Sequence, residues 1–137
     1  QKQRPKFTGG FEARRFMGWH AEQMVWLNAR EFFFAYDRPG DWPHIERVAD
    51  LCERNGLFVG HRACCYVLIG YPESDTLEAA QRRLEAVARL GLKPTAMLYN
   101  TGEGMGPKTR RRWKDMQRHW TNAASVGALM KALRGAA

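Results

Sequence analysis

Glycines and charged side chains that could bind a small ligand occur in four clusters along the chain. The clusters are residues 8–14, 36–39, 70–75 and 100–103. They contain several carboxylates, two arginines and glycine-containing turns, a set that suits a ligand carrying both a carboxylate and an amine. The same residues also fit a simpler interpretation, because glycines make tight turns and aspartates such as Asp37 and Asp75 cap helices.

Standard catalytic and metal-binding motifs are missing from the sequence. It contains no GxxxxGK[ST], no GxGxxG after a strand, no GxSxG and no HExxH. The histidines have no metal-ligand spacing; they are His20, His44, His61 and His119. We therefore predict no metal site, and we interpret the glycine-rich residues 102–106 as a flexible loop.

The cysteines and the hydropathy indicate where the protein resides. Cys52, Cys64 and Cys65 are an odd number, and the adjacent pair lies on a predicted strand, where neighbouring side chains point to opposite faces. We expect core thiols in a reducing compartment. No apolar run reaches the length of a membrane span. The sequence therefore predicts a cytoplasmic protein.

Four apolar runs predict the strands that position these clusters. They cover residues 5–8, 31–36, 63–69 and 94–99, and each run is continuous rather than alternating. Continuous runs are typical of parallel strands that are covered on both faces. Each predicted strand ends beside one of the four clusters.

Segments with helical periodicity lie between and after the strands. Residues 41–55 carry apolar side chains at helical spacing, with Asp41 as the predicted N-cap and Gly56 as the stop. Residues 75–90 begin with a capping-box pattern of Asp75 and Glu78 and end at Gly91. A less regular helix is predicted over residues 12–27, with Met17, Ala21, Met24 and Val25 on one side, and further helical segments surround Trp113 and Val126.

The order of elements predicts one α/β domain over residues 1–137. Four consecutive parallel β-α units form half of an eight-stranded barrel, with extra C-terminal helices. An uncovered apolar sheet is an association site. We therefore expect a homodimer or a complementary half-barrel chain, unless the C-terminal helices cover the sheet.

The C-terminal residues 107–137 are strongly basic, with eight basic side chains and one acidic one, in a chain of net charge +8. Such a stretch is usually the solvated face of a helix, but it also fits a nucleic-acid interface. The candidate residues for that alternative are Lys108, Arg110, Arg111, Arg112, Lys114 and Arg118. Trp113, Met116 and Trp120 recur at helical spacing and are predicted to be core contacts rather than a base-stacking surface.

Several segments resemble a known family. They are FTGGFEAR at 7–14, FFAYDRP at 33–39, the segment from Cys65 to Asn100 that contains IGYPESDTLEAA and GLKPTAMLY, and RRRWKDMQRHW at 110–120. In this order, they resemble the C-terminal half of radical S-adenosylmethionine (SAM) proteins common in phages and bacteria. The resemblance implies a partial barrel in which a CxxxCxxC loop holds a [4Fe-4S] cluster and SAM binds its fourth iron. Reductive cleavage of SAM then yields a radical that removes hydrogen from substrate.

This chain departs from the family pattern because it has no CxxxCxxC motif. By analogy with such barrels, the methionine end of SAM would meet Thr8, Gly9, Gly10 and Arg14. The wall of the site would hold Tyr36, Asp37, Gly70 and Tyr71. No catalytic residue is assigned, and SAM and the cluster are expected only where a cluster-bearing half is present.

Three functions remain open from the sequence. The first is a truncated radical-SAM-like domain that binds a ligand or serves in assembly and is not catalytic alone. The second is the C-terminal half of an active enzyme that is completed by a cluster-bearing half. The third is a nucleic-acid-binding module that uses the basic helix.

Overall fold

A computed structural model describes residues 3–135 and contains one parallel sheet. Its strands are β1 (Lys6–Phe11), β2 (Glu31–Tyr36), β3 (Ala63–Ile69) and β4 (Lys93–Leu98). All neighbouring strands are parallel, and their order in the sheet is β1-β2-β3-β4. The predicted α/β class with four parallel β-α units is confirmed.

Five α-helices follow or connect the strands: α1 (Gly18–Trp26), α2 (Trp42–Arg54), α3 (Leu77–Leu90), α4 (Pro107–His119) and α5 (Ala123–Gly135). Neighbouring helices contact one another, α1 with α2, α2 with α3, and α3 with α5. The sequential strand order and these contacts place α1, α2, α3 and α5 in one layer on one side of the sheet. Over residues 3–135, no helix combines the length and the apolar character that a bilayer crossing needs.

The core lies between the sheet and the helix layer. Alternate side chains of the central strands point into it, including Phe32, Phe34, Cys65 and Val67. They meet the apolar stripes of the helices, which for α2 are Ile45, Val48, Ala49 and Cys52, as predicted from their spacing. Burial of these side chains is the main favourable contribution to folding.

The opposite side of the sheet, here called the open face, carries Phe33, Ala35, Tyr66, Leu68, Thr95 and Met97. Phe33 stacks on Tyr66 with ring centroids 4.3 Å apart, and the Tyr66 hydroxyl donates a hydrogen bond to the Thr8 carbonyl at 3.1 Å. Phe33 is buried and Tyr66 is half-buried, whereas Met97 is 46% exposed. The open face therefore covers much of itself with its own aromatic rings.

Two elements begin or end away from the predicted residues. Strand β1 continues through Gly9 and Gly10 to Phe11, because a bulge between Phe7 and Gly10 lets the ladder with β2 resume. The helix predicted over 12–27 is wrong in its first part: a short 3-10 turn at Ala13–Arg15 precedes α1, and Phe16 is buried between them. The prediction that Met17, Ala21, Met24 and Val25 share one side of that helix is wrong for Met17 and Val25, which are exposed, whereas Ala21 and Met24 are buried.

The predicted capping box at the start of α3 is wrong. The N-cap is Thr76, whose hydroxyl accepts a hydrogen bond from the Ala79 N–H at 3.1 Å. Asp75 is drawn instead into a buried ion pair with Arg83. Gly91 does end the helix, in the left-handed conformation expected of a C-terminal glycine.

The C-terminal helices pack beside β4. Helix α5 contacts α3 and β4, and α4 contacts β4. Trp120, between the two helices, is fully buried, and its indole N–H donates to the Gln81 side-chain oxygen at 2.9 Å. The prediction that Trp113 and Trp120 are core contacts is therefore confirmed, and the β4 side of the sheet is flanked by helices.

Candidate ligand site at the carboxyl rim

The carboxyl ends of all four strands meet at one edge of the sheet, here called the rim. Parallel pairing requires this arrangement, and it gathers the loops that follow the strands. Those loops contain the glycines and charged residues noted in the sequence. Two concavities are present among them.

The first concavity, the small cleft, has a volume of about 170 Å³ and lies at the ends of β1 and β2. Its polar lining includes Glu12, Arg14, Asp37, Asp41 and His44. The floor is completed by Phe11, Ala13 and Ala35. The cleft therefore combines the positively charged guanidinium of Arg14 with carboxylates and the imidazole of His44.

The loop after β2 is organised by the carboxylate of Asp41. One of its oxygens accepts the backbone N–H groups of Asp37 and Arg38, both at 3.0 Å. Partial burial raises the pKa of Asp37, and the nearby Asp41 carboxylate raises this pKa further. The positive charge of Arg38 has the smaller, opposite effect of lowering it. Asp41 is the N-cap residue of α2, as predicted, but its side chain makes no capping hydrogen bond to that helix and instead accepts the N–H groups of the preceding turn.

Helix α2 also holds the loop after β1. The Arg47 guanidinium donates to the Ala13 carbonyl at 2.7 Å, across 34 residues of sequence. This bond fixes the short turn that presents Arg14 to the small cleft. One loop of the cleft is therefore held by α2 and the other by Asp41, the residue that precedes this helix.

The second concavity, the large cleft, has a volume of about 610 Å³ and lies at the ends of β3 and β4. Its lining combines carboxylates, a tyrosine and a tryptophan with glycine backbone: Gly70, Glu73, Asp75, Tyr99, Asn100, Glu103, Gly104, Met105, Thr109 and Trp113. A volume in this range accommodates a drug-sized ligand.

The Asp75–Arg83 ion pair fixes the β3 side of the large cleft. The two guanidinium nitrogens donate to the two carboxylate oxygens at 2.9 and 2.7 Å. The same carboxylate accepts the Gly70 N–H at 2.9 Å, and Arg83 also donates to the Leu68 carbonyl at 3.1 Å. Because the Asp75 side chain is only 4% exposed, this bidentate pair is shielded from solvent.

The β4 side of the large cleft has an unusual backbone. Asn100, Thr101 and Gly102 have φ values of 46°, 52° and 78°, so three successive residues are left-handed. Non-glycine residues in this region cost free energy and persist where surrounding contacts impose them. Here the Arg110 side chain donates to the Thr101 carbonyl at 3.1 Å, and a Cβ on Gly102 would lie 2.9 Å from an Arg110 side-chain carbon.

Two aromatic rings lie at the large cleft. The rings of Tyr71 and Tyr99 are 4.5 Å apart, and the two residues are 46% and 42% exposed. Exposed aromatic faces bind planar rings by stacking. This pair therefore offers an apolar surface next to the carboxylates of Glu73 and Glu103.

The structure brings together some of the predicted SAM-contacting residues and separates others. Arg14 and Asp37 share the small cleft, whereas Gly70 lines the large cleft and Tyr71 stands beside it. Thr8, Gly9 and Gly10 are exposed in β1. Tyr36 points into the helix-side core, where burial raises its pKa and its ring packs 5.5 Å from Trp42.

Sequence reasoning missed several residues that shape these clefts. Tyr99 belongs to a predicted strand end, Trp113 to a predicted core, and His44 to the first turn of a predicted helix. Arg83 lies eight residues beyond Asp75, on a helix face that periodicity alone does not relate to the rim. The one available signal was the position of Tyr99, directly after an apolar run that ends at the rim.

The thiols do not suit the iron-sulfur cluster that the family resemblance implies. Cys52 lies in α2, while Cys64 and Cys65 lie in β3, and all three are buried. Burial raises the pKa of Cys52 and of Cys64 to about 12, and raises that of Cys65 as well. Cluster ligation requires thiolates. Within residues 3–135, no group of three or more His, Cys, Asp or Glu side chains is arranged to hold a metal ion.

The basic residues proposed for nucleic-acid contact lie on α4. All six are exposed: Lys108, Arg110, Arg111, Arg112, Lys114 and Arg118. Trp113 anchors the opposite side of the helix in the core. Arg118 pairs with Asp115 at 3.4 Å, and Arg110 bonds to the loop after β4.

Comparison with protein-family models, with curated proteins and with solved structures finds no match to this chain.

Proposed function

We propose that this chain is one half of a radical-SAM-like barrel, that it binds an adenosyl ligand of the SAM type at the rim, and that it performs no radical chemistry alone. The observation that carries the proposal is the sheet itself. Its four parallel strands run in sequential order, and α1, α2, α3 and α5 contact one another in turn, so the loops that follow the strands gather at one rim. That arrangement fits half of a β-α barrel, a fold whose ligand sites lie at this edge.

The clefts support the ligand class. The large cleft provides volume and the Tyr71–Tyr99 rings for a planar base, and its carboxylates suit ribose hydroxyls or an ammonium group. The small cleft provides the Arg14 guanidinium for a carboxylate. An adenosyl amino acid carries all of these groups.

The thiol positions support the second part of the proposal. The sequence has no CxxxCxxC motif, and its cysteines are buried in a helix and a strand. Cluster chemistry therefore requires ligands from outside this chain. In the rival form of the proposal, a cluster-bearing half supplies those ligands and this chain supplies the rest of an active site. The buried free thiols also favour a reducing location such as the cytoplasm.

S-adenosylhomocysteine, a stable relative of SAM, is the probe for this proposal. We expect calorimetric titration of the purified chain to give 1:1 binding, and Arg14→Ala to weaken binding by about tenfold to a hundredfold, because a hydrogen bond to a charged group contributes about 1.5–3 kcal/mol. Arg15→Ala is the matched control. Arg15 is the adjacent exposed arginine, paired with Glu12 at 3.3 Å and not part of the cleft lining.

Either of two results would contradict the adenosyl assignment. One is no heat of binding at millimolar S-adenosylhomocysteine. The other is an equal loss of affinity in the Arg14 and Arg15 variants, which would indicate a general charge effect rather than a site.

A second function, nucleic-acid binding by α4, is favoured by one observation. The exposed face of this helix holds Lys108, Arg111 and Arg112 together, while Trp113 fixes the helix to the core. Rigid helices that present arginines make phosphate contacts.

The second function predicts a salt-dependent interaction with a single-stranded oligonucleotide, measured by fluorescence anisotropy. The double variant Arg111→Ala/Arg112→Ala should reduce the slope of log affinity against log salt by about 1.4, since each phosphate contact to a single strand contributes about 0.7. Lys131→Ala, an exposed basic residue of α5, is the control. Binding that is absent, or that salt does not weaken, eliminates this function.

A further inference from the structure

A further cavity, here called the amino-end cavity, lies where β3 and β4 begin, at the end of the sheet opposite the rim. It has a volume of about 470 Å³ and is bordered by the end of α2, the residues that precede β3 and β4, and one side of α5. Small-molecule sites have volumes of about 300–1,000 Å³. The lining residues are Glu53, Gly56, Phe58, Val59, His61, Gly91, Gly127, Met130, Lys131 and Arg134.

The floor of the amino-end cavity is an aromatic ring that neighbouring residues hold in place. Gly91 has a φ of 102°, and a Cβ at this position would overlap a carbon of the Phe58 ring, so the ring can lie here only against a glycine. The Arg134 guanidinium lies over the same ring, 5.5 Å from its centroid, and donates to the Arg89 carbonyl at 3.0 Å. Another of its nitrogens lies 3.4 Å from the Glu53 carboxylate. The floor is therefore fixed before any ligand binds.

The wall formed by residues 59–61 presents apolar surface on a strained backbone. Val59 is 77% exposed, so a ligand that covers it removes apolar area from water. His61 has a φ of 53°, a left-handed conformation that costs free energy in a non-glycine residue and recurs at binding sites. Its N–H donates to the Phe58 carbonyl at 3.1 Å, which ties this wall to the floor.

Helix α5 forms the facing wall and leaves space in it. Gly127 lies inside the helix, where glycine is less favourable than alanine. A Cβ at this position would lie 3.9 Å from the His61 Nε2 atom, so a side chain longer than that of alanine would fill part of the space between the two walls. Met130, which is almost fully buried, adds apolar surface below the glycine. The glycine therefore keeps the cavity open.

The charge of the amino-end cavity is positive. Lys131 follows Gly127 by four residues and precedes Arg134 by three, so the three residues share one side of α5. The ion pairs found over residues 3–135 do not include Lys131, whereas the Glu53 carboxylate is already contacted by Arg134. The Lys131 ammonium group is therefore the charge that a ligand can neutralise.

These features together select an anion with a compact apolar body. A cation would be repelled by Lys131 and Arg134, and an inorganic anion would leave the apolar surface of the cavity in water. We propose that the amino-end cavity binds a small organic carboxylate with an aromatic or branched aliphatic body, with the carboxylate at Lys131. The body packs against Phe58, Val59 and Met130. This site is separate from the rim and does not depend on the adenosyl ligand proposed there.

Benzoate and benzamide are the probes for this proposal, because both carry a phenyl ring and only benzoate is charged. Backbone amide NMR of the isotope-labelled chain should show saturable shifts with benzoate in residues 58–61 and 127–131. A dissociation constant on the order of 1 mM is expected for a ligand of this size. Benzamide should bind about threefold to tenfold more weakly, because it lacks the charged contact with Lys131.

Two variants separate the effect of the charge from the effect of the space. Lys131→Gln should weaken benzoate binding by the same factor and leave benzamide binding unchanged. Gly127→Leu places a side chain in the cavity and should abolish binding of both probes, with an unchanged circular dichroism spectrum because leucine favours a helix. Arg82→Gln is the matched control, since it removes an exposed positive charge from α3 outside the cavity lining.

Any of three results would overturn the proposal. Benzoate would give no saturable shifts well above the expected dissociation constant, or benzamide would bind as tightly as benzoate. Alternatively, Lys131→Gln and Arg82→Gln would weaken benzoate binding equally, which would indicate a general charge effect rather than a site. None of these results bears on the rim, whose ligand is tested with S-adenosylhomocysteine.

Discussion

Replacing Asp75 with alanine is expected to lower the free energy of unfolding by about 3 kcal/mol, the low end of the range for breaking a buried ion pair. The substitution leaves the Arg83 guanidinium without its bidentate partner and the Gly70 N–H without its acceptor. Arg83 is 23% exposed and can recover part of its hydration, which is why the low end applies. Chemical denaturation followed by circular dichroism measures the change.

The contrast with a surface ion pair makes this result diagnostic. Asp50 and Arg54 on α2 lie 2.6 Å apart but are 60% and 66% exposed. Asp50→Ala should therefore cost less than about 0.5 kcal/mol, as is usual for exposed helical pairs. Equal small effects from both substitutions would show that the rim network does not hold the turn after β3. Asp75→Asn, which keeps the shape but loses the charge, should fall between the two.

Replacing Trp120 with alanine is expected to cost about 3–5 kcal/mol, the range for truncating a buried aromatic residue to alanine. Trp120 is fully buried where α4 meets α5, so its removal leaves a cavity behind β4. The loss is a large part of the stability typical of a domain. Thermal and urea unfolding should both report it.

Two further variants separate packing from hydrogen bonding at this site. Trp120→Phe keeps an aromatic ring but loses the indole bond to Gln81, and it should cost about 1–2 kcal/mol. The Gln81 side-chain oxygen loses its donor, but Gln81 is only half-buried, so water can reach that oxygen and limit the penalty. His119→Ala, at the adjacent exposed position, should be nearly neutral. A small effect of Trp120→Ala would mean that α4 and α5 contribute little to the fold.

The central part of the fold could be predicted closely from the sequence, because there the local pattern and the tertiary structure agree. The apolar runs at residues 31–36 and 63–69 coincide with β2 and β3, and the stripe on α2 is buried as its spacing requires. These elements are surrounded by other structure, so hydrophobic periodicity determines their placement.

The deviations occur where tertiary contacts override local preference. Gly9 and Gly10 indicate a break, yet β1 continues past them by means of a bulge. Asp75 and Thr76 are both residue types that favour the N-cap position. Because the Asp75 carboxylate is paired with Arg83, the Thr76 hydroxyl caps the helix instead. The direction of the Tyr36 side chain could not be predicted from the sequence either. Tyr36 ends a strand at the rim, but its side chain points into the core.

The location of the two clefts could be predicted from the sequence, but the residues that line each of them could not. Parallel strands place their following loops at one edge, and this much follows from strand positions alone. Which residues share a concavity depends on loops whose shape is set by distant groups, such as Arg47 for the Arg14 turn and Arg110 for the turn at Thr101. Asp37 and Arg14 therefore line the same cleft, whereas Gly70 lines a separate and larger one.

The most direct test of the central claim is to map S-adenosylhomocysteine binding on the isotope-labelled chain by backbone amide NMR. We expect saturable chemical-shift changes concentrated at the rim, in the loops that contain Arg14, Asp37, Tyr71 and Asn100, with the amides of α5 unchanged. Shifts confined to other surfaces, or no saturable shifts at millimolar ligand, would contradict the assignment of the rim as an adenosyl-binding site.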